Sequence, residues 1–215
     1  MKKGFTSHTI VKDGMPFIGL VLRQVEPFME EMLIDVSEKS SDGTMEELER
    51  FKKEYGDKVI ITIERAKAFG DVVNARNRQV NNTKTTWSMI LDDDDFWCQD
   101  DLKKVIDYAY KHEEEIDGLS VSPYQMVDFK TYDASWIGKR QFSKFLKIQD
   151  GLYYKGNFPK EMAYLPDRSL YYKFNLRIKR VPFSFYHLAL MKYNSFRLKV
   201  GEEWVYKIKN PKQFK

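Results

Sequence analysis

The sequence contains four consecutive aspartates, Asp92 to Asp95, directly after the apolar run 87–91. Carboxylates this close repel one another, so the run contributes nothing favourable to an ordinary fold. If the extended backbone of the apolar run continues, Asp92 and Asp94 point to the same side. Two such carboxylates would form a hard-oxygen site for Mg²⁺ or Mn²⁺, ions that bridge to phosphate oxygens. The alternative is an acidic cap of the helix that follows, formed by Asp100 and Asp101 with help from Asp95.

The segments that must position these aspartates alternate between strand-like and helix-like patterns. They predict strands at 8–12, 32–36, 58–63 and 87–91, and helices at 16–25, 45–56, 71–82 and 100–115. This order predicts a mostly parallel sheet with helices on both faces. Ligands bind such sheets outside the carboxyl ends of the strands. The aspartates should therefore share one edge with two polar loops, KDG after the first strand and SEKSSDGT after the second.

The pattern changes after Gly118. Residues 118–129 predict a long strand, and the rest of the chain is rich in Tyr, Phe and Lys. We expect an antiparallel extension of the sheet, then a less regular region and a terminal helix or tail. Because no linker or repeat interrupts the chain, residues 1–215 are predicted to form a single α/β domain.

The composition argues against several classes of protein. Of the 215 residues, 42% are hydrophobic, which is enough for a sizeable core. No run approaches the ~20 apolar residues that cross a bilayer. No long apolar segment follows the N-terminal lysines, as a signal peptide would require. Cys98 is the single cysteine, which excludes an internal disulfide. These features predict a cytoplasmic protein.

The net charge of +4 is unevenly distributed. Residues 1–137 contain 18 Lys and Arg against 27 Asp and Glu, whereas residues 138–215 contain 18 against 5. A basic final third could meet phosphates or an anionic membrane surface, or it could be no more than a solvated basic face. No nucleic-acid-binding motif is present, so nucleic acid is not an expected partner.

Three short motifs, SSDGT at 40–44, NARN at 74–77 and ILDDDDFW at 90–97, resemble those of the family 2 glycosyltransferases of the GT-A fold. Enzymes of that family carry an Asp-rich loop after the second strand, an Arg-Asn pair opening toward the nucleotide and a DxD motif after an apolar strand. The resemblance implies a three-layer α/β/α sandwich. Residues 1–117 would form its nucleotide-binding half and residues 118–215 its acceptor-side half.

The resemblance also implies roles for the polar residues at the sheet edge. Asp94 would ligate the metal directly, and Asp92 would contact the ribose or a metal-bound water. Arg76 would reach the base or the diphosphate, where a guanidinium suits bidentate contact. Asp93 belongs to the same nucleotide-sugar-binding run, although its side chain is expected to turn away.

Two earlier loops would contact the nucleoside. Val11, Lys12 and Asp13 lie at the place of the family's first loop. The family usually has paired aspartates just before its Ser-Thr-Asp-Gly-Thr run, where this chain has Ser37 and Glu38. Glu38 is therefore our candidate for the carboxylate that reads the base, with a longer side chain than the aspartate it replaces.

The second half fits, more loosely, a subgroup in which a Tyr-Gly segment with His-Glu and a late His follow the DxD motif. This chain has GLYYKGNFPKE and FYH at the matching places. Glu161 would be the general base that takes the proton from the acceptor hydroxyl, although Lys160 replaces the subgroup's His. His187 would be a third metal ligand or a contact to the diphosphate, and as a metal ligand it favours Mn²⁺ over Mg²⁺. Other acids could also act as the base: Asp133, Asp150 and Asp167.

The sequence as a whole predicts a metal-dependent transfer of a sugar, with inversion, from a nucleotide-diphosphate donor to an acceptor hydroxyl. A UDP-sugar is the favoured donor and a GDP-sugar the alternative. The acceptor would be a glycan, a glycoprotein or a lipid-linked molecule, and peripheral contact with a membrane stays open. Two other functions are compatible with the motifs: a nucleotidyltransferase that makes a nucleotide sugar, and a non-catalytic nucleotide- or carbohydrate-binding module.

Overall fold

In the computed structural model of the chain, the described residues are 1–64, 72–133, 139–156, 162–165 and 176–191, together with the backbone of 211–213. The first half has the predicted alternation. Its elements are β1 (Lys2–Val11), α1 (Ile18–Val25), β2 (Glu31–Ser37), α2 (Thr44–Tyr55), β3 (Val59–Glu64), α3 (Val72–Asn82) and β4 (Thr85–Ile90). Strand β1 pairs in parallel with both β2 and β4, and β2 pairs in parallel with β3. The predicted parallel sheet is therefore confirmed.

The second half extends this sheet with antiparallel strands. Its elements are β5 (Asp95–Phe96), α4 (Gln99–Lys111), β6 (Gly118–Met126), β7 (Thr131–Asp133), β8 (Phe142–Lys147), β9 (Tyr153–Lys155), β10 (Met162–Tyr164), β11 (Ile178–His187) and β12 (Pro211–Gln213). Strand β8 lies between β4 and β6 and is antiparallel to both. Strand β11 runs parallel to β6 and antiparallel to the short β5. The predicted antiparallel extension is confirmed.

Helices cover both faces of the sheet because each presents an apolar side to it. Helix α1 buries Ile18, Val21, Leu22 and Val25 at the i, i+3, i+4, i+7 spacing of a single helical face. The larger core contains buried residues of α1, α2 and α4, and the smaller core contains Val80 of α3. The α/β/α layering follows from these two separate cores. Within the described part of the chain, no helix is long and apolar enough to span a membrane.

Aromatic packing fixes the acidic run against β11. Trp97, fully buried, stacks on Phe185 with ring centroids 5.3 Å apart and meets Phe145 edge-on at 5.4 Å. Such pairs contribute about 0.5–1.5 kcal/mol each beyond their buried area. Trp97 lies two residues after Asp95, and Phe185 lies two residues before His187. The apolar contact therefore brings the polar residues of both segments together.

His8 is a buried histidine in β1 whose protonation is linked to stability. Its Nε2 lies 2.6 Å from the hydroxyl of Thr83, and Nδ1 has no partner among the described residues. Burial, helped by the positive charge of Arg76, lowers the pKa of His8 to about 3. Between this value and the unfolded value of about 6.5, the unfolded chain binds a proton that the folded chain does not. The buried neutral His8 therefore costs no stability above about pH 6.5, and the free energy of unfolding decreases as the pH falls from there toward 3.

We expect His8 to lower the free energy of unfolding by about 2–3 kcal/mol between pH 7 and pH 4.5. Urea unfolding at the two pH values should show this loss in the wild type and a correspondingly smaller loss in His8→Gln. His112→Gln, which removes a partly exposed histidine at the end of α4, serves as the control. Equal losses in the wild type and His8→Gln would contradict the assignment.

Candidate functional site

The loops after β1 and β2 are joined to each other at the carboxyl edge of the sheet. The Asp13 amide donates to the Ser40 hydroxyl at 3.2 Å, and the Ser41 amide donates to Asp13 Oδ1 at 2.8 Å. Asp13 has φ 54°, the left-handed conformation that a short polar side chain tolerates. The convergence of these two polar loops, expected from the parallel sheet, is confirmed.

Asp42 adds a further hydrogen bond between the same two loops and fixes the turn of its own loop. Its Oδ2 accepts from the Met15 amide at 2.8 Å, and its Oδ1 accepts from the Thr44 amide at 3.1 Å and hydroxyl at 2.5 Å. Partial burial raises the pKa of Asp42, but the hydrogen bonds from Thr44 and Met15 outweigh this effect, so its pKa lies below the usual value. Asp42 therefore acts as a turn residue that holds the first loop against α2.

We expect Asp42→Ala to lower the free energy of unfolding by about 1–3 kcal/mol, because it leaves several donors without their acceptor. It should also weaken binding of UDP measured by calorimetry, since the loops are then joined by fewer hydrogen bonds. Asp128→Ala is the matched control, because Asp128 accepts similar turn bonds from Lys130 and Thr131 between β6 and β7. A loss of UDP affinity in both variants would show that the effect is only one of general stability.

Asp92 is held by two cations. Its Oδ1 accepts from Arg76 Nη2 at 3.2 Å, and its Oδ2 lies 2.5 Å from Lys144 Nζ. Burial alone would raise the pKa of Asp92, but the charges of Lys144 and Arg76 outweigh it and lower this pKa well below its usual range. Arg76 is 5% exposed and also donates to the His8 carbonyl at 3.1 Å. The structure thus brings Arg76 to the aspartates, whereas its contact with a base or diphosphate stays a prediction.

Asp94, Asp95 and His187 form a group that could hold a metal ion. One ligand atom from each lies within 4.8 Å of the other two. His187 Nδ1 lies 3.1 Å from Asp95 Oδ1 and 3.4 Å from Asp94 Oδ1. Two carboxylates and an imidazole are ligands that suit Mn²⁺. The group contains the predicted Asp94 and His187, but it has Asp95 where the sequence indicated Asp92.

The course of the backbone explains why the metal group contains Asp95 rather than the predicted Asp92. The chain does not stay extended after β4, because the Asp95 amide donates to the Asp92 carbonyl at 3.1 Å and closes a turn. Strand β5 then pairs with β11 so that Asp95 stands opposite His187. The extended backbone on which the shared direction of Asp92 and Asp94 depended therefore does not continue beyond Asp92.

The electrostatics of the group favour a cation. Burial, together with the neighbouring Asp95, Asp93 and Asp92, raises the pKa of Asp94 to about 7, against the opposing effect of His187. Burial would lower the pKa of His187, but its hydrogen bond to Asp95 and the charges of Asp95 and Asp94 raise it above the ordinary value. The repulsion among these acids is relieved when a positive charge lies between them.

The remaining candidates lie around this group in different environments. The Val11 side chain is buried in the core, so only its backbone faces the loops, whereas Lys12 and Glu38 are exposed. Asp93 lies beside the first loop, since a Cβ on Gly14 would be 3.3 Å from Asp93 Oδ2. Glu161, the predicted general base, lies outside the described residues.

Sequence reasoning missed Lys144 in β8. Its side chain is 5% exposed, and its Nζ lies 2.5 Å from both Asp92 Oδ2 and Asp95 Oδ2. The signal was a lysine inside the strand-like run FSKFL, since a charge among core residues needs a buried partner. The pairing of strand β8 decides which aspartates Lys144 contacts, and the neighbouring residues in the sequence do not.

Two solved structures of one protein share the fold of this chain. The crystal structure of S. aureus TarS 1-349 is 14% identical to this chain, with a TM-score of 0.58 over 92% of this chain and 64% of that one. TarS 1-349 in complex with UDP-GlcNAc is 14% identical, with a TM-score of 0.56 over 86% and 58%. At this identity the likeness shows the fold alone.

A third structure is the mannosyltransferase PcManGT from Pyrobaculum calidifontis in complex with GDP-Man and Mn²⁺. It is 18% identical over 59% of this chain and 36% of that one, and its TM-score of 0.46 is too low to carry an argument. The chain spans between 36% and 64% of the length of these solved chains. A search among curated proteins found no match.

The sequence model of Glycosyl transferase family 2 matches residues 18–195, which is most of the chain. That range contains the loop after β2, helix α3, the acidic run and His187. The solved structures agree with it at the level of the fold. The chain therefore belongs to glycosyl transferase family 2, with the GT-A fold that its motifs implied.

Proposed function

We propose that this chain carries out metal-dependent transfer of a sugar from a nucleotide-diphosphate donor to an acceptor hydroxyl. The observation that carries the proposal is the group of Asp94, Asp95 and His187, whose ligand atoms lie within 4.8 Å of one another. The group stands beyond the carboxyl end of β4, next to the joined loops of β1 and β2, where parallel sheets bind ligands. Membership of the family supports glycosyl transfer as the reaction.

Asp94, Asp95 and His187 would hold Mn²⁺ or Mg²⁺, with Mn²⁺ favoured by the imidazole. Such an ion supplies positive charge to the diphosphate that departs from the sugar. Asp92, which is held by Arg76 and Lys144, is proposed to orient the ribose side of the donor. The exposed Lys12 and Glu38 would contact the nucleoside from the two joined loops.

The donor is proposed to be a UDP-sugar, with a GDP-sugar as the alternative. TarS, whose fold this chain shares, has been crystallised with UDP-GlcNAc, which supports a UDP-sugar. Glu161 is proposed to take the proton from the acceptor hydroxyl while that oxygen bonds to the anomeric carbon and the nucleoside diphosphate leaves from the opposite face. This geometry inverts the anomeric configuration. The acceptor is proposed to be a glycan, a glycoprotein or a lipid-linked hydroxyl.

The test is incubation of the full chain with UDP- and GDP-sugars and a panel of acceptors, with Mn²⁺ or with a chelator. We expect release of nucleoside diphosphate that stops with the chelator and returns when excess Mn²⁺ is added. Release of pyrophosphate from a nucleoside triphosphate and a sugar phosphate would instead indicate nucleotidyl transfer. Donor binding without any release would indicate a binding module.

A further inference from the structure

Lys144 is a buried cation within the acidic run, and its contacts suggest a role beyond neutralising one carboxylate. We propose that Lys144 is a positioning residue that occupies the place of a second cation and so directs the divalent ion to the side of Asp94 and His187. The metal part of this role rests on the proposed function. That Lys144 places a positive charge within the acidic run follows from its contacts alone.

The ammonium group bridges two carboxylates on the inner side of the run. Its Nζ lies 2.5 Å from Asp92 Oδ2 and 2.5 Å from Asp95 Oδ2. The rings of Phe142 and Phe185 lie 5.6 and 5.3 Å from the same atom. With a side chain only 5% exposed, Lys144 cannot extend to a donor in solvent, so it can act only through the aspartates.

These contacts divide the acidic run into two parts. Both oxygens of Asp92 face cations, Oδ1 toward Arg76 and Oδ2 toward Lys144. Asp95 places Oδ2 on Lys144 and turns Oδ1 toward His187. Asp94 and Asp95 Oδ1 therefore remain on the His187 side as carboxylate ligands for a metal ion, and Asp92 is withdrawn from that set.

A bridging position between two carboxylates is also one that a divalent cation prefers. Without the ammonium, Asp92 keeps Arg76, but the fully buried Asp95 loses the cation beside Oδ2 and keeps only His187, beside Oδ1. Removing one partner of a buried ion pair is strongly destabilising. We therefore expect a divalent ion to take the vacated position when Lys144 is replaced by an apolar residue of similar length.

The experiment counts the Mn²⁺ ions bound by the full chain without donor, from the loss of free Mn²⁺ signal in electron paramagnetic resonance. Lys144→Met should bind one more Mn²⁺ than the wild type. Lys144→Arg keeps the charge and should bind the wild-type number. Lys147→Met, in the same strand but bonded to the Glu113 carbonyl outside the run, is the matched control and should also bind the wild-type number.

An equal number of ions in Lys144→Met and the wild type would overturn the proposal. Because the assay compares the number of Mn²⁺ ions bound by Lys144→Met with the number bound by the wild type, it separates failure of this proposal from failure of the proposed function. If the wild type binds no Mn²⁺, the metal-dependent function fails, while an ion gained by Lys144→Met still supports the resident cation. Should Lys144→Met be isolated only unfolded, recovery of native tryptophan fluorescence on refolding with Mn²⁺, but not without it, supports the proposal. No recovery under either condition overturns it.

Discussion

Asp94→Ala is expected to abolish Mn²⁺-dependent donor binding while leaving the fold intact. Asp94 supplies one of the carboxylates in the group with Asp95 and His187, and its side chain is 14% exposed. Even residues that only support metal ligands cost about 10–100-fold in metal affinity when removed, so we expect a loss of at least ~100-fold for a ligand.

The fold should survive this substitution for two reasons. The Asp94 carbonyl, which accepts from the Leu188 amide at 2.8 Å, is unaffected by a change of side chain. Burial and the neighbouring aspartates disfavour the charged form of Asp94 and raise its pKa to about 7, so its removal relieves repulsion. The free energy of unfolding of the metal-free variant, measured from its unfolding curve, should therefore equal or exceed that of the wild type.

Calorimetric titration of UDP with Mn²⁺ present is the measurement. Asp101→Ala is the control, because Asp101 pairs with Lys104 at 2.9 Å in the first turn of α4, outside the metal group. The control should bind UDP as the wild type does. An unchanged UDP affinity in Asp94→Ala would remove Asp94 from the metal site.

Glu161→Gln is expected to keep donor binding and to lose roughly 10²–10⁴-fold in transfer, the range associated with a general base. The amide is nearly isosteric with the carboxylate but cannot accept the proton of the acceptor hydroxyl. The loss should appear in kcat rather than in the affinity for UDP, because the base acts on the acceptor and not on the donor.

The measurement compares transfer rates of Glu161→Gln with those of Asp150→Asn, which neutralises another acid of the second half. We expect a near-normal rate for Asp150→Asn. If Glu161→Gln turned over normally, the base would be sought among Asp133, Asp150 and Asp167. A parallel loss in both variants would indicate a shared effect of charge on the acceptor side.

Local patterns were sufficient for the elements that carry the site. The predicted strand 32–36 is observed as Glu31–Ser37, and the predicted helix 71–82 as Val72–Asn82. Apolar periodicity depends on neighbours in sequence, so it survives without knowledge of the partner. The helix predicted at 16–25 begins only at Ile18, because residues 15–17 form a turn in which the Phe17 amide donates to the Gly14 carbonyl at 3.2 Å.

The acidic run shows where local patterns stop being sufficient. Asp95 and His187 are 92 residues apart and meet only because β5 pairs with β11. The turn that follows Asp92 lies in the same run and ends the extended backbone on which the expected direction of the later aspartates depended. Neither feature has a periodicity that a sequence could reveal.

The sequence by itself determined the class of the fold and the edge at which the polar loops meet, because alternating strands and helices dictate a parallel sheet. It also determined that a run of aspartates stands at that edge. Only the tertiary structure decided how the four acids divide. Lys144 arrives from the antiparallel β8 and binds Asp92 and Asp95, and His187 arrives from β11 and meets Asp94 and Asp95. These partners come from distant strands, so their contacts depend on long-range pairing and burial.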